Sequence, residues 1–130
     1  MPAQRPSDLE MQVLLVLWEQ GPATVRRILD RLPDGKTRAY TTVLTVMQGM
    51  DRKGLVTRTK EGTAHLFHPA VERDEVVQPV MRTMLRNLFG GDPSKAVQAL
   101  LDSSDVSAET LQQVRRVIDE AVRSQKEKES

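Results

Sequence analysis

Tyr40-Thr41-Thr42-Val43-Leu44-Thr45-Val46-Met47-Gln48-Gly49-Met50-Asp51-Arg52-Lys53, followed by Gly54, is the stretch on which the reading of this 130-residue chain turns. At about 100° per residue, Val43, Val46, Met47 and Met50 fall on one side of a helix, and Thr41, Thr45, Gln48 and Arg52 fall on the other. A helix is therefore predicted over about 40–53, with Gly54 as its C-terminal stop. Thr41, Thr45 and Gln48 are uncharged hydrogen-bonding residues, where a face serving only solubility would carry Lys and Glu. That face is suited to contact a partner.

Upstream, Ser7 and Glu10 have the spacing of a capping box, so a first helix starts there and stops at Gly21-Pro22. Leu9, Val13, Leu14, Val16, Leu17 and Trp18 make it broadly apolar. Thr24 caps a short second helix with Val25, Ile28, Leu29 and Leu32 inward, ending at Pro33-Asp34-Gly35. Downstream, Leu55–Lys60 and Thr63–His68 flank a turn at Glu61-Gly62, which predicts a hairpin. Three helices and then a hairpin is the order of a winged helix-turn-helix, its third helix the reading element. A two-stranded hairpin is marginal alone and must pack on the helices.

Beyond Pro69, Val77, Val80, Met81, Met84, Leu85, Leu88 and Phe89 recur at helical steps, closed by Gly90-Gly91. Pro79 is expected to kink or divide that helix. Asp92-Pro93 opens a short helix carrying Ala96, Val97, Leu100 and Leu101. Ser107 caps a last one with Leu111, Val114, Ile118, Ala121 and Val122 as a stripe, and SQKEKES is expected to fray. So few residues cannot enclose a core alone, whereas pairing with a second copy buries the stripes. The predicted fold is mainly α with a small β-hairpin: a winged helix-turn-helix domain over residues 1–69 and a helical dimerisation arm over residues 70–130.

Composition narrows the function. The net charge of +1 divides into +3 for residues 1–69 and −2 for residues 70–130. Within residues 36–60, Lys36, Arg38, Arg52, Lys53, Arg58 and Lys60 stand against Asp51 alone, a local +5 that suits a polyanion or a solvated surface equally. No run of about 18 apolar residues is available for a membrane span, and MPAQRPSDLE lacks the apolar stretch of a signal peptide, so a cytoplasmic protein is expected. Without cysteine there are no disulfides or thiolate metal sites. His65 and His68, three apart on a strand, point to opposite faces, so no metal or other cofactor is expected. No catalytic constellation is present, and an enzyme is not expected.

The run AYTTVLTVMQGMDRKGLV, with LEMQVLLVLWEQGPATVRRI before it and GTAHLFHP after it, resembles the penicillinase repressor family, also called BlaI/MecI, which includes copper-responsive CopY relatives. Its most specific part is Tyr40-Thr41-Thr42-Val43 followed by Lys53-Gly54-Leu55-Val56. The resemblance implies a homodimeric repressor of double-stranded operator DNA. It also implies induction by proteolysis in the C-terminal region, set off by a membrane-bound sensor metalloprotease. Aligned from the GlyGly motif, the cleavage site falls at Ala99-Leu100, where staphylococcal members carry Asn-Phe. Gly49 stands where the family often has Arg or Lys, which leaves one backbone contact missing or moved to Arg52. Lacking cysteine, the chain cannot use the CopY metal mechanism.

With the third helix in a major groove, Thr41, Thr42 and Thr45 meet base edges and thymine methyls. Thr42 has the alternative of bonding its own backbone. Gln48 reads adenine or reaches phosphate. Arg38, Tyr40, Arg52 and Lys53 are expected on the DNA backbone, and Lys60 and His65, on the wing, on backbone or minor groove. Val80, Met84, Leu88, Leu111, Val114, Ile118 and Val122 are expected at the dimer seam. Two other readings stay open: a winged-helix regulator that answers a small molecule directly, and an adapter whose third helix docks on a protein.

Overall fold

The computed structural model describes residues 5–129. Ser7 opens the first helix, α1 (Asp8–Gln20). Its Oγ accepts from the Glu10 N–H at 3.2 Å, and the Glu10 carboxylate accepts from the Ser7 N–H at 2.9 Å, so two otherwise unbonded donors are satisfied reciprocally. Thr24 opens α2 (Val25–Arg31), accepting from the Arg27 N–H at 3.3 Å. The decisive stretch forms α3 (Tyr40–Lys53). Gly54 ends it with φ 78°, a conformation that strains any residue with a β-carbon.

The strands β1 (Val56–Glu61) and β2 (Ala64–Pro69) pair antiparallel from Val56↔Pro69 to Glu61↔Ala64 around a two-residue loop, Gly62-Thr63. Both strands sit one residue later than the pattern predicts. The Leu55 N–H donates to the Met50 carbonyl at 2.9 Å, so β1 begins at Val56, and the loop falls at Gly62-Thr63 instead of Glu61-Gly62, which moves the inner strand ends. Ala23, between α1 and α2, exchanges both backbone hydrogen bonds with Phe67, at 3.0 and 2.9 Å. This single-residue third strand fastens the hairpin to the helices, which meets the need for support that a lone hairpin has. Val13, Leu14 and Leu17 of α1, Ile28 of α2, and Val43, Met47 and Met50 of α3 form the core with Val56 and Phe67. Helix, helix, helix and a tethered hairpin make a winged helix-turn-helix.

The helix α4 (Arg73–Phe89) runs unbroken through Pro79, so of the two expected outcomes, a kink or a division, the division does not occur. The chain falls into two compact units, one ending at Thr83 and one beginning at Met84. The first unit therefore passes the expected boundary at Pro69. Val76 is buried in its core, and the Trp18 indole N–H donates to the Val71 carbonyl at 3.0 Å, which stitches the start of α4 to α1.

In the second unit, α5 (Pro93–Ser103) is capped by Asp92, with Pro93 in the first turn where its missing N–H costs nothing. Ser107 caps α6 (Ala108–Glu129), accepting from the Thr110 N–H at 3.1 Å. The polar end expected to fray is helical through Glu129, because Gln, Lys and Glu are good helix formers and Gln125 bonds Glu129 at 3.1 Å. Ser130 and the part of the leader reading on residues 1–4 lie outside the described residues. No described helix is long and apolar enough to cross a membrane.

Candidate nucleic-acid interface

The two sides of α3 separate as their spacing requires. Val43, Met47 and Met50 are buried, whereas Thr41, Thr42, Thr45, Gln48 and Arg52 are exposed. The Thr45 hydroxyl donates to the Thr41 carbonyl at 2.9 Å. Its proton is engaged, which leaves the Thr45 methyl and an oxygen lone pair to face outward. The local backbone bond that the sequence offers as an alternative for Thr42 is thus found one turn later. Ala39 precedes α3 and supplies no side-chain cap, so the positive end of this helix is not neutralised by its own residue.

A groove of about 470 Å³ runs between α2, α3 and the hairpin, lined among others by Arg26, Tyr40, Leu44, Gln48, Arg58 and His65. The Arg26 guanidinium lies 5.2 Å from the centre of the Tyr40 ring, an attraction between cation and ring face that holds both at the groove edge. Sequence reasoning did not assign Arg26 or Arg58 to the interface; their only signal was positive charge on exposed positions. Lys60 is exposed and opposes His65 across the hairpin. His68 points the other way and pairs with the Thr59 hydroxyl at 2.9 Å. Among the described residues no cluster of metal-ligating side chains occurs.

Three of the six cations behind the local +5 are held within the protein. Asp34 takes both Arg38 guanidinium nitrogens, at 2.9 and 2.7 Å; Glu10 takes the Lys53 ammonium at 3.0 and 2.9 Å; and Asp51 meets Arg58 at 3.4 Å. Among the described residues, Lys36, Arg52 and Lys60 form no ion pair. Any polyanion therefore meets a weaker field than the residue count suggests. A β-carbon at Gly49 would meet the Arg52 guanidinium at 3.7 Å, an ordinary van der Waals contact.

The paired carboxylates make the first unit sensitive to acid. Burial raises the Glu10 pKa, but the Ser7 N–H and the Lys53 ammonium outweigh it and hold the group below its ordinary 4.5. The Arg38 guanidinium, followed by the Lys36 N–H, holds Asp34 well below its ordinary 3.8. A carboxyl whose folded pKa is lowered stabilises the fold above its ordinary value and loses that contribution as pH falls through the folded value. Chemical denaturation from pH 7 downward is expected to show stability falling below about pH 4.5, with Asp34→Asn flattening the lower part of the fall. A profile flat to pH 2 would refute this.

In the second unit no described residue is buried. Leu88 is 70% exposed and Ile118 47%, with Met84, Leu111 and Val122 similarly open and Val114 half-buried. Ala99 and Leu100 both lie within α5, Ala99 half-buried and Leu100 exposed. Val80 differs from the other seam candidates: it lies in the first unit, lining a cavity of about 180 Å³ with Pro6, Leu55, Val76 and Pro79.

A family model described as "Penicillinase repressor" matches residues 6–120. The transcriptional regulator BlaI of Mycobacterium tuberculosis is 40% identical over 78 residues, which cover 59% of this chain and 56% of that protein, so little more than half of that relative's length is spanned. The penicillinase repressor of Bacillus licheniformis is 21% identical over 121 residues, covering 93% of this chain and 94% of that one. The solution structure of the DNA-binding domain of the repressor BlaI superposes with a TM-score of 0.50 at 23% identity, over 58% of this chain and 90% of that chain, a likeness of fold.

Proposed function

The chain belongs to the penicillinase repressor family, and from that premise we propose that it is a homodimeric, cytoplasmic transcriptional repressor of a dyad operator, not an enzyme. The observation that carries this reading is the exposed hydroxyl and amide face of α3 backed by a buried aliphatic one. Thr41, Thr42, Thr45 and Gln48 read base edges and thymine methyls, while Tyr40, Arg52, Lys60 and His65 meet the phosphate backbone. A second copy covers the stripe from Met84 through Val122, which a single chain leaves open. Two reading helices then reach successive major-groove faces about 34 to 36 Å apart.

Derepression acts on that pairing, by dissociation or by a membrane-bound sensor metalloprotease cutting at Ala99-Leu100. Both residues sit within the α5 helix, so cutting requires that turn to unwind first. A second reading, direct release by a small molecule, draws on the cavity beneath Val76 and Val80. It differs in predicting loss of DNA affinity while the chain stays intact.

The test is fluorescence anisotropy on the DNA upstream of the chain's own gene against random duplex, across a salt series. Selective binding that weakens steeply with salt is expected; equal affinity for both duplexes would remove the proposal. In the same assay Thr45→Ala is expected to weaken operator binding by about 1–3 kcal/mol and to leave random DNA little changed. Equal losses on both would show that Thr45 does not discriminate.

A further inference from the structure

Asp34 lies in the connection between α2 and α3, and its carboxylate collects four hydrogen bonds. Oδ1 accepts from the Lys36 N–H at 3.0 Å and from Arg38 at 2.9 Å; Oδ2 accepts from Arg38 at 2.7 Å and from the Gln12 amide of α1 at 3.1 Å. The Asp34 and Arg38 side chains are only 21% and 17% exposed. The Gln12 amide oxygen is buried without a partner, yet the reverse orientation would set that oxygen against the carboxylate, so Asp34 dictates how Gln12 points. Arg38 stands two residues before Tyr40, the first residue of α3, and Ala39 between them offers no side-chain cap.

We infer that Asp34 and Arg38, braced on Gln12, form a latch that sets the start of α3 against α1, and that Arg38 is a positioning residue for operator reading instead of the phosphate ligand its charge suggests. A forked guanidinium bound through two nitrogens fixes orientation as well as distance, which a point charge does not. The latch fixes where Thr41 and Thr42 stand relative to the rest of the first unit, so it governs sequence discrimination without touching a base. A phosphate ligand would be expected to keep its terminal nitrogens free; here each of the two terminal nitrogens already gives an N–H to the Asp34 carboxylate.

The inference rests on the operator-binding reading, and one experiment separates the two. Full-length wild type, Arg38→Lys, Arg38→Met, Asp34→Asn and the Asp34→Asn/Arg38→Met double variant are titrated on operator and random duplex across a salt series. Thermal melts set a working temperature at which each is folded, and Arg38→Lys, which keeps the charge, carries the test if another variant does not fold. The latch predicts that each single variant lowers the operator-to-random affinity ratio by about tenfold and that the double variant is no worse than either. It also predicts that Arg38→Met leaves the salt slope within a few tenths of wild type. If Arg38→Lys matches wild type while Arg38→Met loses close to one unit of slope, Arg38 is a phosphate ligand and the latch is overturned. A wild-type ratio near one overturns operator binding itself, and the inference with it.

Discussion

Ile118→Asp is expected to turn a dimer into a monomer at micromolar concentration by sedimentation. Leu111, Val114, Ile118 and Val122 succeed one another at steps of three and four along α6, so they share one face, and no described residue of the second unit is buried. A carboxylate at the centre of that stripe must be desolvated without a partner, at about 3–5 kcal/mol, and a two-fold axis places it there twice. The dimer dissociation constant is expected to rise by at least about two orders of magnitude, and by more if both carboxylates stay buried. Operator affinity falls with it, because the second half-site is then no longer bound intramolecularly. Melting of the first unit, whose core lies elsewhere, is expected to stay unchanged. A variant that still sediments as a dimer would end the proposal that α6 pairs with its copy.

Met47 and Gln48 offer the second large contrast, between neighbours about 100° apart on one helix. Met47 is 0% exposed and packs among Val13, Leu14 and Ile28 in the core cluster. Met47→Ala is expected to lower unfolding free energy in urea by about 2–5 kcal/mol, through lost transfer energy and the cavity left behind. Gln48→Ala touches only the outward groove and is expected to stay within about 0.5 kcal/mol of wild type in stability while weakening DNA binding. Opposite results, with Gln48 destabilising and Met47 silent, would mean that the two faces of α3 have been exchanged.

The features legible in the linear chain are those whose cause is local. Ser7 with Glu10, Thr24, Gly54, Asp92 with Pro93, and Ser107 each signal a helix end within four residues, and each acts as its spacing requires. The alternation within 40–53 shows which side of α3 is apolar. Where two local signals compete the reading slips: Leu55 has a strand's composition, but its N–H is taken by Met50, and β1 begins one residue later. The polar end of α6 has the low hydrophobicity of a frayed tail, yet the helix propensity of Gln, Lys and Glu carries it through Glu129.

Charge was the least legible. Six cations against one anion in residues 36–60 describe composition, whereas the field outside depends on which carboxylates the fold delivers to them. Glu10 reaches Lys53 across 43 positions, and Asp34 meets Arg38 within a loop where no helical repeat foretells the contact. The bridge of Ala23 to Phe67 has no periodic signature at all, being one residue long.

The amino-acid order alone determined the helices, their caps and the two-sidedness of α3, because those follow from backbone sterics and from side-chain spacing over a few residues. Tertiary structure alone decided which basic residues remain available to a phosphate, how the wing is tethered and that the first unit extends to Thr83. Such pairings depend on the distance between groups that chain folding, rather than chain neighbourhood, brings within about 3 Å of each other.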